Sequence, residues 1–213
     1  LIALCIIATQ RAQLASPRAH DAHLHTLQGS FRLFLQAPII LCFLFFILLT
    51  TAGNETTRHT ISLGLLDLLA HPGEKARLIA DPSLAGTAAD EILRRAHPVH
   101  HFRRTATCDV TIHGRRIKAG DKVTMWYASG NYDEEKFADP FRLDLGRQPN
   151  RHLTFGLGGP HFCLGAHLAK LEVRIWLEEM VPYLDRIELA GTPTRLRSNF
   201  FNGIKRLPVQ VGS

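Results

Sequence analysis

Beyond position 44 the apolar residues change period along the chain, and the changes mark out the elements. Residues 45–70 carry apolar side chains densely enough for one long helix. His71-Pro72-Gly73 predicts its end, because proline restricts the residue before it and brings no N–H. Residues 74–80 read as a short helix closed by Asp81-Pro82. Thr87 is placed to cap a helix that runs to His97, with Pro98 behind it. From 99 to 125 the period drops to two. Val110-Thr111-Ile112 alternates, His113-Gly114 turns, and residues 117–123 pair back around Gly120-Asp121. Residues 128–154, rich in Gly, Asn, Asp and Pro, read as an irregular loop. Residues 164–180 return to a helical period. Leu164, Leu168, Leu171 and Ile175 lie on one face, His167, Lys170, Arg174 and Glu178 on others, and Pro182 closes the helix. The tail alternates short strands with turns at Gly191-Thr192-Pro193 and Asn202-Gly203. The class predicted is mainly α with small β-sheets.

The first fifty residues differ from the rest. They hold one acidic residue, Asp21, and no lysine. Residues 39–49 are an unbroken apolar run, too short for a membrane span and predicted to be a buried helix. Residues 1–8 are apolar but follow no basic segment, which makes a poor signal peptide. We expect residues 1–44 to be an unassigned lead, foreign or out of frame, and residues 45–213 to form the domain. A hydrophobic share of 46% and a charged share of 21% are ordinary for a globular protein. The net charge of +6 comes without a basic block or an aromatic-interleaved stripe, so nothing supports nucleic-acid binding. Cysteines stand at 5, 42, 108 and 163 with no Cys-x-x-Cys pair, which fits a reducing compartment. Cys5, Cys42 and Cys108 read as small apolar residues.

One segment carries chemistry: Phe155-Gly156-Leu157-Gly158-Gly159-Pro160-His161-Phe162-Cys163-Leu164-Gly165. It sets a cysteine after a glycine-rich loop and before a helix. A thiolate there is stabilised by the free N–H groups and the positive end of the helix dipole. The glycines let the backbone fold around the sulfur and approach something large and flat. A soft anionic sulfur in such a place suits iron.

From about residue 45 onward the chain resembles the C-terminal half of a bacterial cytochrome P450. The order of motifs carries the likeness: Ala52-Gly53-Asn54-Glu55-Thr56-Thr57 like the oxygen-activating part of the central helix, Glu91-Ile92-Leu93-Arg94 like the Glu-x-x-Arg helix, Asp139-Pro140-Phe141 to Arg147 like the meander, then the cysteine loop. The loop is one residue longer than the family's usual form, with Phe155 eight before Cys163 rather than seven. Some actinobacterial members acting on sterols and methyl-branched lipids share that lengthening.

The resemblance implies the C-terminal portion of the cytochrome P450 fold and a haem b whose iron takes Cys163 as ligand. Phe155 is expected against the sulfur, Phe162 at the haem edge, and Gly158 and Gly165 where backbone approaches the ring. Arg104, His161 and His101 resemble propionate-binding positions. Gly53, Glu55 and Thr56 are the expected oxygen-side residues, moving protons as a general acid pair. The residues alone also permit a kinked helix with Glu55 and Thr56 facing solvent. Glu91, Arg94 and Arg147 resemble a buried structural network, where the spacing alone would also allow a surface pair. Val99, Phe102, Asn199 and Phe200 are expected near the substrate.

The function implied is a haem-thiolate monooxygenase that inserts one O2-derived oxygen atom into an apolar lipid, sterol or terpenoid, here as a fragment. The partners implied are O2 and a ferredoxin-type electron donor, faced by Lys170 and Arg174. No membrane span and a cytoplasmic location are expected. The alternative is a truncated, inactive remnant with weak or no haem binding. Two rival readings of the loop are weaker. His152, His161, Cys163 and His167 match no common zinc spacing. Gly156-Leu157-Gly158-Gly159 lacks the third glycine of a nucleotide loop.

Overall fold

Pro72 and Pro82 set the corners of the helical body. A computed structural model describes residues 38–212. The chain divides between Thr51 and Ala52. Before that division lies α1, residues 38–48, which passes into a π-helical turn at Leu49–Gly53. Most of the lead expected at 1–44, with Leu1, Ala8 and Cys5, falls outside the described residues.

Helix α1 corrects one expectation. The run 39–49 was expected to be buried, yet its large side chains are 42–71% exposed. A helix apolar on every face must be enclosed on every side to be buried. Cys42 is exposed with it.

Beyond the division, α2 (Asn54–Ala70) ends at His71, and α3 (Pro72–Ala80) begins on Pro72 itself. Proline suits a first helical position because its missing N–H has no partner there anyway. Asp81 then caps a 3-10 turn, Pro82–Leu84, by accepting from Ser83 N at 3.1 Å. Helix α4 (Ala85–Ala96) follows directly. Thr87, expected as its cap, instead sits in the first turn and donates to Leu84 O at 3.0 Å.

Ala85, Ala88, Ala89 and Ile92 give α4 a narrow buried face. Gly64 of α2 faces it so closely that a Cβ there would lie 2.7 Å from Ile92 Cγ2. These helices share one core, with Leu68, Leu78, Leu93, Leu143 and Leu145.

The last helix, α6 (Ala166–Leu184), closes this core with Val173, Leu177 and Leu184. It starts two residues later than expected and runs through Pro182. Proline there removes one ladder bond in the last turn, which the helix tolerates. Its Leu168–Leu171–Ile175 face is 46–50% exposed, and Leu164, before the helix, is 81% exposed. The segment has two apolar rows, and the other one meets α2 to α4.

Among the described residues the strands form four two-stranded antiparallel sheets. Strands β2 (Val110–Ile112) and β3 (Arg115–Ile117) join at His113-Gly114, both at positive φ (47° and 75°), the geometry that suits the twist of a hairpin. Beyond Ile117, which ends β3 opposite Val110, residues 118–123 do not pair back on this hairpin. The turn at Gly120-Asp121 sends β4 (Lys122–Trp126) to β1 (His101–Thr105) instead. Cys108 lies exposed in the bend before β2, not in a strand. A short helix α5 (Tyr127–Asn131) opens the long irregular segment. In the tail, β5 (Ile187–Leu189) pairs with β8 (Val209–Val211), and β6 (Thr194–Arg195) with β7 (Ile204–Arg206).

Candidate active site

The cysteine loop is anchored at its base by Asn131, the buried last residue of α5. Its amide donates to Arg94 O at 2.9 Å and Thr154 Oγ1 at 3.1 Å, and accepts from Leu153 N at 2.7 Å. Thr154 Oγ1 in turn donates to Leu93 O at 2.9 Å. The loop therefore leaves from the C-terminal turn of α4. It then folds on itself: Gly156 N to Leu153 O at 2.8 Å, Phe162 N to Gly159 O at 3.1 Å, and Cys163 N to Phe155 O at 3.0 Å. Gly156, Gly158 and Gly159 have φ of 85°, 108° and 77°, a region that glycine enters without steric cost.

This loop presents Cys163 exposed, three residues before α6. Gly165 precedes the helix with no side-chain cap, and the first helical amide, Ala166 N, turns back to donate to Cys163 O at 3.2 Å. A Cβ on Gly156, Gly158 or Gly159 would meet nothing within 4 Å, so their outer side is open. Leu157, Phe162 and Leu164 stand exposed beside the sulfur in sequence. An exposed soft sulfur, an open glycine backbone and uncovered apolar side chains fit a flat apolar macrocycle with a metal centre. His161 is exposed on the same loop. Phe155 packs against the helical core and lies 5.7 Å from the His152 ring, so its carbonyl, rather than an open ring face, meets the Cys163 amide.

Arg104 is exposed on β1, where it donates to Arg103 O at 3.0 Å. Burial pushes the Tyr127 hydroxyl up, Arg104 opposes that rise, and Cys163 adds to it. His101 packs edge-on to Trp126 at 4.6 Å. Phe102 packs edge-on to Phe200 at 5.7 Å and to Tyr127 at 6.0 Å. The tail is laced to this strand: Val99 bridges Phe201, and His100 N donates to Phe200 O at 2.8 Å. Val99, Phe102 and Phe200 are thus brought together, and Asn199 lies exposed beside them in sequence.

On α2, the Thr56 hydroxyl donates to Ala52 O at 2.7 Å, just where the π turn ends at Gly53. Such a turn widens the helix locally. Glu55 pairs with Arg58 at 2.5 Å. The Arg58 hydrogen bond holds the Glu55 carboxyl below its ordinary value, against the opposing effect of desolvation.

Glu91, Arg94 and Arg147 meet in the interior. Arg94 grips Glu91 with two bonds of 2.8 Å, and Arg147 Nε reaches it at 3.2 Å. Asn150 and the Asp144 amide donate to the same carboxylate. Both guanidiniums also bind carbonyls: Arg94 those of Asn131 and Pro140, Arg147 those of Ala138, Asp139 and Arg142. This ties the long segment before the cysteine loop to α4. Asn131, Tyr127 and Asn150 were not singled out from the sequence. Their only signal was an unremarkable place in a loop. Among the described residues no group of three or more His, Cys, Asp and Glu side chains is arranged to hold a bare metal ion.

A model of the cytochrome P450 family matches residues 84–200, more than half of the chain. The chain is 51% identical over 166 residues to a methyl-branched lipid omega-hydroxylase of Mycobacterium tuberculosis, covering 78% of this chain and 39% of that protein. It is 44% identical to a steroid C26-monooxygenase of Rhodococcus jostii over 78% of this chain and 35% of the relative. Among solved structures, a Mycobacterium marinum cytochrome P450 in complex with pseudoionone superposes with a TM-score of 0.73 at 50% identity, over 78% of this chain and 40% of that one. The chain thus spans about two fifths of the length of the relatives it matches.

Proposed function

Because this chain belongs to the cytochrome P450 family, we propose that it carries the haem-thiolate part of a monooxygenase acting on an apolar substrate. The observation that carries the reading is the loop that wraps Phe155 O around the Cys163 amide and leaves the sulfur exposed ahead of α6. Cys163 would be the iron ligand. Gly158 and Gly165 would let the backbone lie against the ring. Arg104 and His161, with His101, would hold the propionates. When bound, haem supplies an iron that activates O2, and a thiolate ligand favours O–O cleavage.

The chain's own residues then do the rest. Glu55, held ionised by Arg58, and the Thr56 hydroxyl hold and pass protons beside the widened turn at Gly53. Val99, Phe102, Asn199 and Phe200 offer an apolar, aromatic surface to the substrate. Relatives named for methyl-branched lipid and steroid oxidation support a lipid, sterol or terpenoid. For the electron donor we keep a ferredoxin-type protein. Lys170 already pairs with Asp90 at 2.7 Å and Arg174 with Glu178 at 2.7 Å, so each offers such a donor only part of its charge.

A cytoplasmic location is part of the proposal. By length and composition the helix Pro38–Ala70 could cross a membrane. However, from Glu55 onward it carries charged side chains and packs His59, Thr60, Leu63 and Leu68 into the interior.

A second reading has its own support. The exposed α6 face and Leu157, at 84% exposure, would leave haem open to water in this chain alone. In that reading residues 45–213 form a partial domain that binds haem weakly and turns over nothing, and residues 1–44 are a lead from elsewhere. Reconstitution with haem, reduction and addition of carbon monoxide separates the readings. A strongly red-shifted band, lost in Cys163→Ser, is the expected result. Its absence from the intact chain at saturating haem would sink the ligation claim. Donor-driven product formation would retire the inactive reading.

A further inference from the structure

One carboxylate holds the cysteine loop at both ends. Asp90 lies on α4, next to Glu91 in sequence. Before the loop, His152 donates from Nε2 to Asp90 Oδ1 at 3.4 Å. After it, Lys170 of α6 forms an ion pair with the same oxygen at 2.7 Å. The His152 side chain is 3% exposed and that of Lys170 43%, so one arm is interior and the other reaches the surface. Between the two arms the loop closes on itself through the bond from Cys163 N to Phe155 O at 3.0 Å.

The ring proton of His152 has one place. Desolvation would raise the Asp90 carboxyl, but His152 and Lys170 outweigh it and hold it below its ordinary range. An ionised carboxylate only accepts, so Nε2 carries the hydrogen. Nδ1 is buried with no hydrogen-bond partner among the described residues. A lone pair left there is the milder case, since orphaned buried N–H groups are rarer than under-satisfied acceptors. The ring also packs 5.7 Å from that of Phe155, whose carbonyl receives the Cys163 amide. The neighbouring anchors act on the near end of the loop alone: Leu153 N donates to Asn131 Oδ1, and Thr154 Oγ1 to Leu93 O. Asp90 reaches the helix that follows the sulfur as well.

We propose that Asp90 is the positioning residue of the cysteine loop, a clasp that His152 and Lys170 close from either side so that the Cys163 amide stays on the Phe155 carbonyl. This deepens the function proposed above and rests on it for the use of the sulfur. That reading makes Cys163 a ligand, and the clasp fixes where the ligand stands.

The test reads hydrogen exchange at the Cys163 amide in the whole chain, isotope-labelled at its cysteines and assigned by the signal that Cys163→Ser removes. Asp90→Ala and His152→Phe should each speed that exchange about tenfold, the factor that a lost hydrogen bond to a charged group is worth. His152→Gln, whose amide nitrogen can stand in for Nε2, should return it to the unaltered rate. Leu177→Ala weakens the core but leaves the clasp intact, and should not move it. NMR of the ring nitrogens should show Nε2–H at His152. Where Asp90→Ala does not fold, Lys170→Met, a change at a half-exposed side chain, carries the test with the His152 pair. An Nδ1–H tautomer, a Cys163 amide unmoved by the clasp variants, or one moved as far by Leu177→Ala overturns the proposal. The carbon monoxide spectrum of haem-loaded samples separates the two claims. A missing thiolate band with the exchange changes intact retires the function and leaves the clasp. A normal band with Cys163 exchange unmoved overturns the clasp alone.

Discussion

Glu91 receives N–H groups from Arg94, Arg147, Asn150 and the Asp144 backbone, and it and Arg94 are wholly buried. Its charge is what makes two interior guanidiniums tolerable. Glu91→Gln keeps the shape and removes the charge, so both cations lose their counter-ion. The expected loss is about 3–5 kcal/mol, the range for a broken buried pair, read as a lower urea midpoint. A loss under about 1 kcal/mol would make the cluster behave as a surface pair. The Glu-x-x-Arg spacing was visible in the sequence, because three residues apart on a helix share a face. Its burial was expected only through the family resemblance and not from the spacing, since it depends on Arg147 arriving from 53 residues beyond Arg94 with three carbonyls to bind. The same holds at the loop. The Gly-rich run before Cys163 was legible as chemistry, whereas the Asn131 anchor was hidden, because a single asparagine in a loop carries no periodic signal.

Helix α6 shows what an apolar pattern can and cannot settle at the scale of an element. Its sequence has two apolar rows. One, through Val173, Leu177 and Leu184, is wholly buried, and the other, through Leu168, Leu171 and Ile175, is about half exposed. Leu177→Ala should therefore cost about 2–5 kcal/mol, while Leu171→Ala should change stability by less than about 0.5 kcal/mol. Equal costs in paired urea melts would contradict the burial pattern. The period marked the helix correctly, but which row meets the core is decided by the neighbours. Gly64 on α2 and the alanines of α4 allow a close approach only on one side. The strands were less legible for a related reason. The turn at Gly120-Asp121 was readable, yet the partner of β4 is β1, some twenty residues upstream, and turn chemistry names no distant partner. The apolar α1 run was misread because hydrophobicity predicts a wish for burial and not the cover that provides it.

Across the whole molecule, protonation acts in one direction. Burial pushes His97 below its ordinary value, outweighing the help of nearby carbonyls, and burial likewise lowers His100 and His59. A histidine lowered in the folded state contributes stability above its unfolded value of about 6.5, and that contribution is lost as pH falls toward the folded value. Two carboxylates follow at lower pH. Burial alone would raise Asp90, but His152 and Lys170 outweigh it and hold it below the ordinary range. Burial would also raise Asp144, and Arg77 with the Gly146 amide overcomes that. Their contribution is present above about 3.9 and disappears as pH falls through the lowered values. Asp144 and Arg77 join the long segment to α3, and Asp90 and Lys170 join α4 to α6, so both losses loosen contacts between elements. The urea midpoint should therefore fall from pH 8 to pH 5, then fall again below pH 4. His97→Gln should flatten the first fall, and Asp90→Asn the second. A midpoint that stays level from pH 8 to pH 5 would show that these histidines take up protons as freely folded as unfolded, against the burial that isolates them here.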